Sequence, residues 1–325
     1  MKIIAIGGSN TLLKGGYISR LEELMPEATI INRGIGATNC AMGLYRLMTC
    51  EGLGPGDIVL WEYALNDRLD KLRSKEWHLK VVEHTIRYAA DKGAIVLPII
   101  LAHLKDDRAK APSEYRLLLH FLAAAYGIRI LDIPMVARNR FNVGYLPGSD
   151  FRDKSHYQPN GRVVELTAEL VAEAIANGLR MARNVRPLYF QRGVIPVVRD
   201  SLIGKPKRNF TNKIINADYY DFRDGRVIFQ PEIEGGRVLA GITLVSPRAG
   251  KCFVSTERQS LTMMMTPQTE HIEMVLLRAI FGGGWTASIK TDPGSFIKFE
   301  QPPTYLGDRG SPRGILGLLT EEMKT

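Results

Sequence analysis

Lys2-Ile3-Ile4-Ala5-Ile6-Gly7-Gly8-Ser9-Asn10 is a short β-prone run that passes straight into two glycines and two small polar residues. A run of this length bounded by turn residues reads as a buried strand. The same rhythm recurs outward from it. Thr29–Asn32, Asp57–Tyr63, Ala94–Leu101 and Ile128–Ile133 are further short runs rich in Ile, Val and Leu. Helix-length amphipathic stretches lie between and after them, at Tyr17–Leu24, Asn39–Cys50, Ser74–Lys92, Pro112–Tyr126 and Pro159–Ala182. Strands alternating with helices predict a largely parallel sheet covered on both faces. In the last stretch Pro159 suits a first helical turn, and Val163, Val164, Leu166, Leu170, Val171 and Ile175 supply a broad apolar face.

Past Asn184 the helical period fades. Short β-prone runs take over at Arg226–Gln230, Val238–Val245, Cys252–Thr256, Met274–Ile280 and Ser295–Phe299, punctuated by Gly and Pro. This predicts a second module, all-β and of sandwich or jelly-roll type, and divides the chain into residues 1–184 and 185–325. Met263, Met264 and Met265 read as core or edge-strand filler.

At 325 residues, with 45% hydrophobic and 24% charged side chains, the composition is that of a globular protein and excludes collagen-like, coiled-coil and disordered classes. No window approaches the ~20 apolar residues of a membrane span, and no leader-like segment stands ahead of the first strand, so the expected location is cytoplasmic. Cys40, Cys50 and Cys252 form no CxxC pair and suggest a reduced compartment without a zinc site. The net charge of +9 is spread over both halves, with 24 basic against 20 acidic residues in 1–184 and 19 against 14 in 185–325. Neither half is a basic arm, so nucleic acid is not the favoured partner. The densest cluster, Lys205, Lys207 and Arg208 beside Phe210, reads as a solvated loop.

Four segments of the first half share a chemical logic. Gly7-Gly8-Ser9-Asn10 follows the first strand and places a hydroxyl at the carboxyl end of the sheet, where open α/β folds put their sites. Asn32-Arg33-Gly34-Ile35-Gly36-Ala37-Thr38 follows the second strand and offers backbone N–H groups. Tyr63-Ala64-Leu65-Asn66-Asp67 follows the third. Asp153-Lys154-Ser155-His156 stands before the last helix, with a carboxylate three residues ahead of an imidazole. Singly, each has a plain reading: a βα turn with a Ser or Asn cap, a helix cap, a surface ion pair. Together and in this order they resemble the motif blocks of the SGNH/GDSL hydrolases over residues 1–184. Two positions depart from that pattern: Gly8 replaces the usual Asp of Gly-Asp-Ser, and Ala64 stands for the Gly of GxND.

The resemblance implies a flavodoxin-like three-layer α/β/α hydrolase domain, with the β module appended. It implies Ser9 as nucleophile, His156 as base and Asp153 as the residue that orients it. The oxyanion hole would comprise the Ser9 N–H, Gly36 and Asn66, with Gly34 as the alternative to Gly36. The physical chemistry agrees, because a serine hydroxyl needs a base within hydrogen-bond reach and an imidazole needs a partner to fix its tautomer. The implied activity is removal of acyl groups, acetyl above all, from a carbohydrate ester, small or polymeric, through an acyl-serine. Polysaccharide O-acetyl transfer and non-catalytic glycan binding on the same scaffold are the alternatives. No cofactor or metal is implied, and the oligomeric state is not indicated. Tyr219, Tyr220, Phe222, Trp285 and Tyr305 are stacking candidates if they are not core residues. His78, His84 and His120 read as core or surface residues, Trp61 as core, and His103, Tyr63 and Arg68 as possible pocket-lining groups.

Overall fold

The computed structural model describes residues 1–70, 73–109, 111–199, 208–212, 216–221, 227–229, 237–245, 251–255, 260–264, 276–280, 297–300 and 314–323. It divides into two compact units, Met1–Arg192 and Gly193–Thr325.

The first unit is built on five parallel strands, β1 (Lys2–Gly7), β2 (Thr29–Asn32), β3 (Ile58–Glu62), β4 (Ile95–Ile100) and β5 (Leu131–Asp132), in the order 2-1-3-4-5. This is the flavodoxin-like arrangement. Its central strands β1, β3 and β4 are buried almost throughout, while the edge strand β2 is half exposed. Continuous apolar sequence is what a strand covered on both faces requires. Among the described residues nine α-helices are interspersed: α1 (Ser9–Leu12), α2 (Tyr17–Leu24), α3 (Cys40–Met48), α4 (Ala64–Leu69), α5 (Lys75–Asp91), α6 (Leu104–Asp107), α7 (Glu114–Tyr126), α8 (Ile133–Phe141) and α9 (Arg162–Ala176). On one face of the sheet Ile3, Ala5, Leu60, Leu97 and Ile99 pack with Tyr17 and Leu21 of α2 and Val163 and Val171 of α9.

Several boundaries differ from those expected. The fifth strand is two residues long, because Asp132 caps a helix there: its side chain accepts from the Met135 N–H at 3.2 Å, and Pro134 occupies the first turn. The last helix begins at Arg162 behind Gly161, so Pro159 lies in the preceding turn, and it ends at Ala176. Residues 185–192 belong with the first unit. The buried Glu83 accepts from the Leu188 and Tyr189 N–H groups at 2.7 and 2.8 Å, and Phe190 stacks on His84.

The second unit contains β6 (Val194–Arg199), β7 (Arg208–Thr211), β8 (Asn216–Asp221), β9 (Val227–Phe229), β10 (Arg237–Val245), β11 (Lys251–Ser255), β12 (Ser260–Met264), β13 (Leu276–Ile280), β14 (Ile297–Glu300) and β15 (Gly314–Met323). They form two antiparallel sheets, one ordered 13-10-15-8-7 with β6 also on β15, the other ordered 12-11-14-9. Among the described residues β10 and β15 supply most of its buried side chains, such as Val238, Ile242, Leu244, Ile315 and Leu318. Tyr219 and Tyr220 are buried, not displayed for stacking. Phe222, Trp285 and Tyr305 lie outside the described residues, as do Lys205, Lys207 and Met265. Arg208 and Phe210 lie in β7, and Arg208 approaches Asp221 at 3.5 Å, so this end of the basic cluster is a paired strand.

Candidate active site

The chain turns to opposite sides of the sheet after β1 and β3, and at such a switch point open α/β sheets leave a crevice outside the carboxyl ends of their strands. Ser9 follows β1 and opens α1; Asn66 follows β3 in the first turn of α4. The segment 151–157 arches over them as a small loop closed by a bridge between Phe151 and Tyr157, whose rings stack.

Within this crevice Ser9 Oγ lies 2.7 Å from His156 Nε2. His156 Nδ1 lies 2.7 and 2.9 Å from the two carboxylate oxygens of Asp153. Asp153 Oδ1 also accepts from the Ser155 and His156 N–H groups, at 2.8 and 3.0 Å, so the loop itself orients the carboxylate. Burial pushes the Asp153 carboxyl up, but the Ser155 amide and the His156 ring outweigh it and hold it below its ordinary value. The side chains of His156 and Asp153 are 29% and 49% exposed, which leaves the row open to a bulky ligand.

Around the hydroxyl stand the groups that resemblance marked as donors. A Cβ placed on Gly36 would lie 3.5 Å from the Ser9 Cβ, so Gly36 faces the serine. The Gly34 N–H instead donates to Asn32 Oδ1 at 3.0 Å and is engaged within its own turn. Asn66 donates one amide hydrogen to the Thr38 carbonyl at 2.8 Å, which fixes its side chain to the loop after β2 and leaves the other hydrogen of the NH2 group. Asn66 Oδ1 approaches the turn ahead of Ser9 so closely that a Cβ on Gly8 would come within 2.5 Å of it. A side chain at position 8 would therefore have to displace the Asn66 amide.

Thr11 and Glu62 lie outside the motif blocks, and Asn10, inside the first block, was read there only as a cap. Asn10 is buried and donates to the Ser155 carbonyl at 2.9 Å, while its Oδ1 accepts from the Tyr157 N–H at 3.2 Å. It thereby ties α1 to the loop bearing the imidazole. No local signal marks such a contact, since it spans 145 residues of chain. The loop is held on its other side by the Leu104 N–H, which donates to the Lys154 carbonyl at 2.9 Å.

Other candidates are placed elsewhere. Tyr63 is fully buried and packs against Gly43, so it does not line the crevice. Arg68 is paired with Asp106 beside a small pocket that Leu65, Leu101 and Tyr115 also line. His103 caps α6, accepting from the Lys105 N–H. His78 is buried 3.3 Å from Asp70, and His120 bonds Asp132 at 2.8 Å. Asp67 points away from Ser9 and receives the Cys40 N–H and the Tyr115 hydroxyl, at 2.9 and 2.8 Å. Among the described residues no group of three or more His, Cys, Asp and Glu side chains is placed to hold a metal ion, and no helix is long and apolar enough to cross a membrane.

No protein-family model and no curated protein matches the chain. Solved structures do. A two-domain esterase active on acetylated mannans, crystallised with mannopentaose, aligns with 100% of this chain and 91% of its own at 12% identity and a TM-score of 0.64. A second structure of a two-domain esterase active on acetylated mannans gives 13% identity, 100% and 92% coverage and a TM-score of 0.62. A member of the lipolytic G-D-S-L family from Veillonella parvula DSM 2008 aligns with 55% of this chain and 100% of its own at 18% identity and a TM-score of 0.45. The full-length alignments show that the chain shares a two-unit fold with that esterase. A five-stranded parallel α/β unit followed by an antiparallel β unit is the fold it adopts.

Proposed function

We propose that this chain is a serine-dependent ester hydrolase that removes acyl groups, acetyl first among them, from a carbohydrate. One observation carries the reading: Ser9 Oγ stands 2.7 Å from His156 Nε2, while Asp153 engages the other ring nitrogen at 2.7 Å. With Nδ1–H held by the carboxylate, Nε2 carries the lone pair that accepts the serine proton. Ser9 Oγ attacks the ester carbonyl as His156 takes its proton. The resulting oxyanion is met by the N–H groups of Ser9 and Gly36 and by the Asn66 amide. His156 then gives the proton to the departing sugar oxygen, leaving acyl-Ser9. Water, deprotonated by His156, attacks that acyl group and releases the acid and free Ser9.

The substrate class draws support from two sides. The like-folded esterase is active on acetylated mannans, and the half-exposed Asp153 and His156 suit an ester borne on a bulky alcohol. Ser9→Ala is expected to lower acetate release from acetylated mannan and xylan oligosaccharides by at least ~10⁴-fold, and to abolish fluorophosphonate labelling. Undiminished release by that variant, or none from the wild-type chain, would sink the reading.

A further inference from the structure

Glu62 ends β3 beneath the turn that carries Ser9, and it is completely buried. Its Oε2 accepts from the Thr11 hydroxyl at 3.0 Å and, at 3.3 Å, shares the Gly8 N–H with the Glu62 backbone carbonyl, which lies at 3.0 Å. Thr11 Oγ1 lies in turn 3.0 Å from the Tyr17 hydroxyl. Oε1 meets no donor. Gly8 precedes the serine and Thr11 follows it by two, so one carboxyl grips the chain on both sides of Ser9. Resting on Ser9 as the nucleophile, we infer that Glu62 is a positioning residue that holds the Gly8–Thr11 turn in its neutral form, and that ionising it slows acylation.

A buried carboxylate with an unanswered oxygen is costly, and the cost falls when the group keeps its proton. Burial pushes the Glu62 carboxyl up to about 8, and the bonds from Thr11 and Gly8 offset only part of this. The titratable groups facing it are Tyr17 from α2, Tyr63 at the end of β3, Asp67 from α4 and Tyr157 from the loop above. None of them is a cation that would stabilise the charge. Thr11 and Tyr17 can reverse their donation, so the chain from Glu62 to Tyr17 accommodates either protonation state. Once ionised, the carboxylate stands one residue from the Ser9 N–H, in a water-excluded place where its field opposes charge on the oxyanion.

The test follows the pH dependence of p-nitrophenyl acetate hydrolysis and of Ser9 labelling by a fluorophosphonate in the wild-type chain, Glu62→Gln and Thr11→Val. The wild type is expected to lose kcat roughly ten-fold between about pH 7 and about pH 9.5, with KM unmoved. Glu62→Gln matches the neutral acid in shape and cannot ionise, so its profile stays level across that range. Thr11→Val removes a bond that favours the carboxylate and moves the midpoint to higher pH. A level wild-type profile, or a Glu62→Gln profile that falls as the wild type does, overturns the inference and leaves Ser9 as nucleophile. If Glu62→Gln does not fold, the Thr11→Val midpoint decides, and an unmoved one overturns it. A wild-type chain unlabelled at Ser9 overturns the hydrolase reading and this inference together.

Discussion

Gly8 is the residue on which the donor arrangement around Ser9 turns. With its hydrogen in place of a Cβ, the Asn66 side chain lies against the turn and keeps its bond to the Thr38 carbonyl. Gly8→Ala pushes a methyl to within 2.5 Å of Asn66 Oδ1, and the amide has to swing away. Under the proposed function Asn66 is an oxyanion donor, and loss of one such donor costs roughly 10²–10³ in kcat. Steady-state kinetics should therefore show that fall with KM little changed and the unfolding temperature lowered only slightly. Glu62 bears on stability as well as on rate. Its folded pKa, about 8, lies above the ordinary 4.5, so the folded state holds a proton that the unfolded state has released. Stability then falls as pH rises from about 4.5 to about 8 and levels beyond it. Thermal unfolding over that range should show a shallower fall for Glu62→Gln. Ser9, Asp153, His156 and Asn66 were visible as candidates, because they stand in recognisable blocks. Glu62 was not, because a carboxylate in an apolar strand end gives no hint of what it touches until the sheet pairs β1 with β3.

At the scale of elements, α1 and the 151–157 loop act as one piece through Asn10. Asn10→Ala leaves the Tyr157 N–H and the Ser155 carbonyl without their partner, at a cost of roughly 1–3 kcal/mol. It also frees the loop that presents His156. The expectation is a lowered unfolding temperature together with a larger loss in kcat than in KM, read from kinetics and thermal unfolding of the same sample. The strands and long helices were legible because their apolar spacing follows the period of each element. α8 was hidden, since Leu131, Ile133 and the following apolar residues continue a strand pattern, and the Asp132 cap and Pro134 carried the true signal. The β unit showed its class and five of its strands, β9, β10, β11, β13 and β14, while the other described strands were not read. The largely exposed Arg208–Thr211 and the polar start of Asn216–Asp221 acquire strand geometry from pairing with each other, which composition does not register.

For the whole chain, the first unit extends to Arg192 because residues 185–192 answer buried groups of α5. Arg87 donates to the Val185 carbonyl at 2.7 Å, and Glu83 receives the Leu188 and Tyr189 N–H groups. A fragment ending at residue 184 strands the Glu83 carboxylate, leaving it only the Tyr126 hydroxyl. A fragment ending at Arg192 keeps all three donors and should unfold at the higher temperature in a calorimetric comparison. The change of rhythm that marks this join in sequence falls where helices stop, whereas the packing carries on into extended chain.

Ser9 and His156 meet across 147 residues. Such a contact lengthens the average loop that folding must close, and it delays the search for the native state. During synthesis the serine leaves the ribosome long before its base, so a partly made chain carries an ordinary alcohol at position 9. Reactivity would be acquired late and all at once, when the loop before α9 settles onto a sheet already assembled.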